Sequence, residues 1–269
     1  MTIKVDLLII DPQNDFCDPM GSLFVEGADA DMRRVAAMIK RIGPKINDIH
    51  VTLDTHHFVD VAHPIYLKDS AGNHPNPFTI ITADDIEKGV WSTTLPSLNK
   101  RALEYAKVLE ANGRYPWCIW PPHCLIGSWG HCVHTDVFEA LLDWENSFAM
   151  VDYVTKGSNM YTEHYSAVKA EVPDPSDPST QIDTSEGSLI ATLMKTDIIA
   201  IMGEAGSHCL ANTARDIADA FGDDSYVKKM VLIEDGTSPV STFEQLQEDF
   251  IQEMTARGMQ ISNTVDFLK

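Results

Sequence analysis

The stretch IIAIMGEAGSHCLANTARDI, residues Ile198 to Ile217, starts as an unbroken apolar run, passes through small residues and continues with helical spacing. The run Ile198–Met202 has strand length and no alternation, which suits a strand buried on both faces of a parallel sheet. Leu210–Phe221 reads as the helix that follows, stopped at Gly222. Working outward, similar runs occur at Val5–Ile10, Ile49–Leu53, Phe148–Val151 and Met230–Ile233, with a weaker one at Met259–Ile261. Helical patterns fall between them at Ala28–Ile42, Thr135–Trp144, Thr184–Met194 and Ser241–Arg257. Strands that alternate with helices predict βαβ units. The expected fold is therefore α/β: three layers, Rossmann-like, with a central, mainly parallel sheet of about six strands and helices on both faces. Residues 1–269 read as a single domain in which two segments break the alternation. Residues 60–122, with a helix at Leu98–Glu110, read as an excursion, and Pro173–Asp183 as a solvated loop. Such insertions sit at the surface, often beside a site.

Composition narrows the function. The 269 residues carry a formal net charge of −20, so nucleic acid and anionic membrane, which demand a basic footprint, are not expected partners. A hydrophobic fraction of 44% supports a sizeable core, and the longest apolar run is far too short to span a bilayer. The N-terminus has no small-residue cleavage site and places Asp6 and Asp11 in its apolar stretch, so it reads as a first strand and not as a secretory signal. Five cysteines, an odd number outside any small-scaffold spacing, point to a reducing, cytoplasmic setting. A homo-oligomer is compatible with all of this.

Three places could carry chemistry. Cys209 stands where the strand turns into the helix, and unpaired N–H groups there lower a thiol pKa and can hold an oxyanion. A buried cysteine packing as a small hydrophobe explains the same residue. Asp11 ends the first strand, at the sheet edge where ligands bind in open α/β folds, although an Asp-Pro pair also caps turns. Asp54 follows the second strand with His56 beside it, and His123 lies downstream in WPPHC. One carboxylate and two imidazoles suit a borderline metal, yet ten histidines make chance clustering easy. Each signal is weak alone.

In order along the chain, IIDPQNDF with Asp11, LDTHH with Asp54 and His56, WPPHC at Trp120–Cys124, KGSNMYTEHYSA at Lys156–Ala167 and GEAGSHCLANTA with Cys209 resemble the isochorismatase-like cysteine hydrolases, and within them the nicotinamidases (pyrazinamidases). The resemblance implies a triad of Cys209, Asp11 and Lys156, with Lys156 favouring the thiolate. It also implies one divalent metal ion on Asp54, His56 and His123, zinc first, with manganese and iron accepting the same ligands. His63, at a spacing close to that of a further ligand, ranks below those three. By the same carry-over Phe16 and Trp120 sandwich an aromatic ring, Tyr165 lines the pocket, and the N–H groups of Ala205 and Cys209 form the oxyanion hole. A cis peptide is expected at Glu204–Ala205. The implied reaction is hydrolysis of a small-molecule amide, nicotinamide, to nicotinate and ammonia through a thioester, a step of NAD salvage and pyridine nucleotide biosynthesis.

Where the family reads Thr-Asp-x-Cys-Val, this chain has Gly206, Ser207, His208, Cys209 and Leu210, so that a serine replaces the acidic residue of the elbow. Other readings are an amidase for a carbamoyl or ureido compound, a vinyl-ether hydrolase that would not need the cysteine, and a non-catalytic binding protein on this fold. His208 as the base is disfavoured, because neighbours on a turn seldom face each other. A zinc knuckle from Cys118, Cys124, Cys132, His131 and His134 lacks a C-x-x-C pair. The 60–122 excursion, lying between two implied metal ligands, is expected to lid the pocket in part.

Overall fold

The structure, a computed structural model, describes residues 3–269. Six strands form one sheet: β1 (Val5–Ile10), β2 (Asp48–Asp54), β3 (Asp152–Lys156), β4 (Ile198–Gly203), β5 (Met230–Ile233) and β6 (Gln260–Ser262). Their order is β3-β2-β1-β4-β5-β6 and every pairing is parallel. From β1 the chain winds outward to β2 and β3, then crosses back to β4 and winds the other way. The winding reverses between β1 and β4, and connections diverging there open a crevice at the strands' C-terminal ends.

The longer helices are α1 (Ala28–Ile42), α2 (Asn99–Asn112), α3 (Thr135–Glu145), α4 (Leu189–Met194), α5 (Cys209–Phe221) and α6 (Glu244–Arg257). Side chains alternate across a strand, so Leu7 and Ile9 of β1 pack with Met32, Val35, Ile39, Val51 and Leu141 on the α1–α3 face. Leu8 and Ile10 point the other way, against Ile199, Ile201, Leu210, Ile217, Phe250 and Met254. Two buried faces explain why β1 is apolar apart from Asp6, and each buried apolar side chain contributes about 1.5–3 kcal/mol.

The sequence expectations fail at three boundaries. The strand expected at Phe148–Val151 lies at Asp152–Lys156 instead. Phe148 is fully exposed in a left-handed turn after α3, while β3 is an edge strand whose first residues face solvent. An edge strand needs no continuous apolar run. The helix expected from Thr184 starts at Leu189, where the Ser188 side chain accepts the Ala191 N–H as its cap. The helix expected from Ser241 starts at Glu244.

The excursion carries its own small core, in which Val61, Tyr66, Tyr105, Leu109, Trp117 and Ile119 pack around α2. Two short antiparallel pairs, Leu67–Lys68 with Ser92–Thr93 and Ile80–Ile81 with Trp117–Cys118, tie it together. It folds back towards the crevice, where the Trp120 N–H donates to Ala62 O at 2.7 Å. The loop after Pro173 is less solvated than expected: Asp174 pairs with Arg101 of α2, and Thr180 is buried. Among the described residues no helix is long and apolar enough to cross a membrane.

Candidate active site

The site is assembled from the ends of four parallel strands. Asp11 follows β1 with φ +43°, a left-handed conformation that a non-glycine residue keeps only when its surroundings hold it. Thr52 of β2 does so: its hydroxyl accepts the Asp11 N–H at 3.0 Å and donates to the Asp11 carboxylate. Asp54 and Lys156 end β2 and β3 as register partners, which brings their side chains together. The Lys156 ammonium donates to Asp54 Oδ1 at 2.9 Å and to His164 O at 2.8 Å, and lies 3.0 Å from Asp11 Oδ2 and 3.6 Å from Cys209 Sγ.

Cys209 is the first residue of α5. The elbow that delivers it needs Gly203 at its start, because φ is +110° and a Cβ would sit 2.1 Å from Ile10 O of β1. The Glu204–Ala205 peptide is cis, as expected. Where the family pattern has threonine, Gly206 packs beneath α6, and a Cβ there would meet Gln247 Oε1 at 2.0 Å. The N–H groups of His208 and Leu210 both donate to Ala205 O. Among the described residues those of Ala205 and Cys209 have no acceptor.

Burial and charge compete at each group. Burial alone would lower the Lys156 pKa, but Asp11 and Asp54 outweigh it and hold the group well above the usual lysine value, so it stays an ammonium. Burial raises the Asp11 carboxyl above the ordinary range despite Lys156, making it a better base than a surface carboxylate. Burial also pushes the Cys209 thiol well up; Lys156 opposes this, while Asp11 and Asp54 reinforce it. Burial and the two carboxylates thus oppose the thiolate that the helix end and Lys156 favour.

Beside Lys156 lie Asp54, His56 and His123, whose ligating atoms are within 4.8 Å of one another and buried. Nε2 of His56 and of His123 stand 3.0 and 3.3 Å from Asp54 Oδ2. Of their other ring nitrogens, His123 Nδ1 is hydrogen-bonded with Pro121 O at 2.8 Å, an outer partner of the kind that orients metal-binding histidines, and His56 Nδ1 lies 3.1 Å from Asp60 in a charge contact. Burial would lower the His56 pKa, yet Asp54 and Asp60 hold it well above its usual value. The group draws positive charge, and the residues present fit a divalent cation. His63 stacks on both histidines, with ring centroids 5.1 and 5.3 Å away, but lies outside the converging set. No second such group forms among the described residues, so the knuckle from Cys118, Cys124, Cys132, His131 and His134 does not assemble.

A narrow cavity of about 30 Å³ opens over Cys209, walled by Phe16, Trp120, Tyr165, His208, Ala205 and Glu163, with Asp54 and His123 at its metal-competent end. The Trp120 indole N–H donates to Tyr165 OH at 3.1 Å, which fixes both rings. The excursion thus reaches the site through Trp120. Sequence reasoning missed Thr52, which holds Asp11, and Glu163, a buried carboxyl whose pKa burial raises. Both are ordinary polar residues inside recognised segments, and no spacing rule marks them. His208 is a wall residue bound to Ser207, and it shows no hydrogen bond to Cys209.

Fold and site together define a parallel α/β protein with a cysteine at a strand-to-helix elbow, next to an acid, a lysine and a metal-competent cluster. The same fold occurs in solved amide hydrolases. A yeast nicotinamidase bound to the inhibitor nicotinaldehyde is similar with a TM-score of 0.66 at 20% identity, covering 96% of this chain and 99% of that one. An Acinetobacter baumanii nicotinamidase/pyrazinamidase gives 0.62 at 20% identity over 98% of each chain. A Pyrococcus horikoshii pyrazinamidase in complex with zinc gives 0.54 at 18% identity, over 96% of this chain and 98% of that one. At such identities the likeness establishes the fold. No family model and no curated protein matches the sequence.

Proposed function

We propose that the protein is a metal-dependent cysteine amidase that hydrolyses nicotinamide to nicotinate and ammonia. The observation that carries this reading is Lys156, whose one ammonium lies within reach of Asp11, Asp54 and Cys209 and so joins the acid, the thiol and the metal-competent cluster. The aromatic walls of Phe16, Trp120 and Tyr165 suit a small planar ring.

Asp54, His56 and His123 would hold one divalent cation, zinc first, which would supply a Lewis-acid contact for the ring nitrogen and so help to position the ring. Phe16 and Trp120 flank that ring and Tyr165 closes the pocket. Cys209 gives its proton to Asp11 as sulfur attacks the amide carbon, and Lys156 stabilises the charge that develops on sulfur. The former carbonyl oxygen becomes an oxyanion on the N–H groups of Ala205 and Cys209. When the carbon–nitrogen bond breaks, Asp11 returns the proton to the leaving nitrogen and ammonia departs from a thioester. Asp11 then takes a proton from water as the hydroxyl adds to the thioester carbon. The carbon–sulfur bond breaks, the sulfur regains the proton, and nicotinate is released.

The test is ammonia release from nicotinamide and from carbamoyl compounds, with and without a chelator. Turnover of nicotinamide that Cys209→Ala and the chelator each abolish is expected. Unchanged turnover in Cys209→Ala would overturn the cysteine mechanism, and preference for a carbamoyl compound would reassign the substrate.

A further inference from the structure

Glu204 stands directly before Ala205, one of the two residues whose N–H groups face the oxyanion, and its carboxyl is fully buried. Oε2 accepts the Ser238 N–H at 3.1 Å. Oε1 is sealed from solvent, and no donor among the described residues reaches it. An ionised carboxylate only accepts, so here it would bury a charge with one oxygen unsatisfied. A carboxylic acid can donate from Oε1 instead.

The acceptor for that proton is Asp31 of α1, itself buried. Its Oδ2 accepts the Ser238 hydroxyl at 2.6 Å and its Oδ1 accepts from the Arg34 guanidinium. Ser238 thus gives its N–H to Glu204 and its O–H to Asp31, which brings the two carboxyls within hydrogen-bonding reach of each other. Two carboxyls so placed cannot both ionise. Asp31 has a guanidinium and a hydroxyl as donors, whereas Glu204 has one amide, so the inventory puts the shared proton on Glu204. Burial first, then Asp31, pushes the Glu204 carboxyl well above its ordinary range, against the Ser238 N–H and the Arg34 charge. Cys17, behind β1, is the remaining ionisable neighbour, a thiol that burial, Glu204, Asp11, Asp31 and Asp29 all push up.

The segment between β5 and α6 that carries Ser238 also grips the elbow. Ser238 O accepts the Gly206 N–H at 2.9 Å, and the Val240 N–H donates to Ser207 Oγ at 3.0 Å. Ser238 therefore pins the residues on both sides of Ala205, while the Ala205 N–H itself is left without an acceptor among the described residues.

We propose that Glu204, kept as a carboxylic acid that donates to Asp31, is a positioning residue that holds the Ala205 N–H in place for the developing oxyanion. An ionised Glu204 would repel Asp31 and part the two carboxyls that Ser238 bridges, loosening the elbow at Ala205. The catalytic half of this inference rests on the amidase reading; the place of the proton does not.

Two measurements test it. Carbon-13 spectra of protein labelled at the glutamate side-chain carboxyls, with the Glu204 signal assigned by its loss in Glu204→Gln, should show a protonated acid near neutral pH. Asp31→Asn offers Oε1 an amide donor and removes the facing charge, so the midpoint of the Glu204 signal should fall by about one pH unit or more. In parallel, kcat and KM for nicotinamide are compared among variants. Glutamine can donate to Asp31 and accept from Ser238, so Glu204→Gln should keep kcat within about twofold of wild type. Glu204→Leu can do neither and should lower kcat by roughly tenfold or more with KM little changed, the mark of a contact made mainly in the transition state. A wild-type Glu204 already ionised near neutral pH, a midpoint that Asp31→Asn leaves in place, or a Glu204→Gln variant that loses kcat by tenfold overturns the inference, as does wild-type kcat in Glu204→Leu. Should the leucine variant not fold, the spectra and Glu204→Gln still decide. If no amide is hydrolysed, the amidase reading fails and the positioning role with it, and the spectra alone decide where the proton lies.

Discussion

Replacing Lys156 with methionine removes the one charge that holds the site together and keeps most of the side-chain volume. The ammonium is buried between Asp11 at 3.0 Å and Asp54 at 2.9 Å, so the variant strands two carboxylates away from water. Breaking a buried pair from one side costs about 3–5 kcal/mol. At about 2–4 °C per kcal/mol for a chain near this size, the melting temperature should fall by roughly 6–20 °C. The pH dependence follows from the directions of the shifts. Lys156 is raised above its ordinary value, so its contribution is complete at mildly alkaline pH and is lost only as pH rises through that raised value. Asp54 is held well below the carboxylate range, since its partners, His56 first, outweigh burial; its contribution is present above the unfolded value and lost as pH falls through the folded one. Without the ammonium both carboxyls rise, so the deficit should be largest near pH 8 and shrink on acidification.

Urea unfolding in the presence of a chelator measures this without interference from a cation. Adding Asp11→Asn to Lys156→Met removes one stranded charge, and the double variant should be more stable than Lys156→Met alone near pH 8. Equal midpoints for wild type and Lys156→Met at that pH would refute the reasoning. So would a double variant less stable than the single one.

Gly203→Ala places a Cβ 2.1 Å from Ile10 O at a φ of +110°, and should cost at least about 3 kcal/mol by denaturant midpoint, with β1 and β4 forced apart. His50, buried between Asp152 at 2.8 Å and Asp6 at 3.8 Å, has its pKa raised because the carboxylates outweigh burial. Its stabilisation is full below the unfolded histidine value and lost as pH rises through the folded one, so His50→Gln should flatten the fall in stability on the alkaline side of neutrality; an unchanged profile would remove His50 as its cause.

What could be read in the sequence was what burial imposes on a single segment. β1, β4 and β5 announced themselves because both faces of each are covered, which demands an apolar run, interrupted in β1 by Asp6 alone. β3 did not, since an edge strand paired only with β2 tolerates Asp152, Tyr153 and Thr155 facing outward. The sheet order is set by long-range packing and leaves no mark in any window of residues. At the site, Asp11, Asp54 and Cys209 were legible because strand ends are where a parallel sheet exposes side chains to a ligand, whereas Lys156, at the end of the unread β3, came from the family resemblance alone. Thr52 was hidden by a physical circumstance: the left-handed Asp11 backbone needs a hydroxyl from the neighbouring strand, and only the register reveals which residue supplies it.

The helix end and Lys156 favour the Cys209 thiolate, and magnitudes show how strongly burial opposes them. A helix N-terminus stabilises a nearby charge by about 0.3–1 kcal/mol, less than one pKa unit. Complete burial can move a pKa by 3–5 units the other way. Cys209 has both, together with a favourable Lys156 and unfavourable Asp11 and Asp54, and the balance lies above the ordinary thiol value. On this balance proton transfer to Asp11 is expected to accompany carbon–sulfur bond formation. Competitive alkylation with iodoacetamide, followed residue by residue by mass spectrometry, tests this. Near neutral pH the exposed Cys132 should be modified well before Cys209, whose rate should keep rising far above the pH at which an ordinary thiol has ionised. A Cys209 that reacts first at neutral pH, with a rate already level, would mean that the resting group is a thiolate and that the elbow and Lys156 outweigh burial after all.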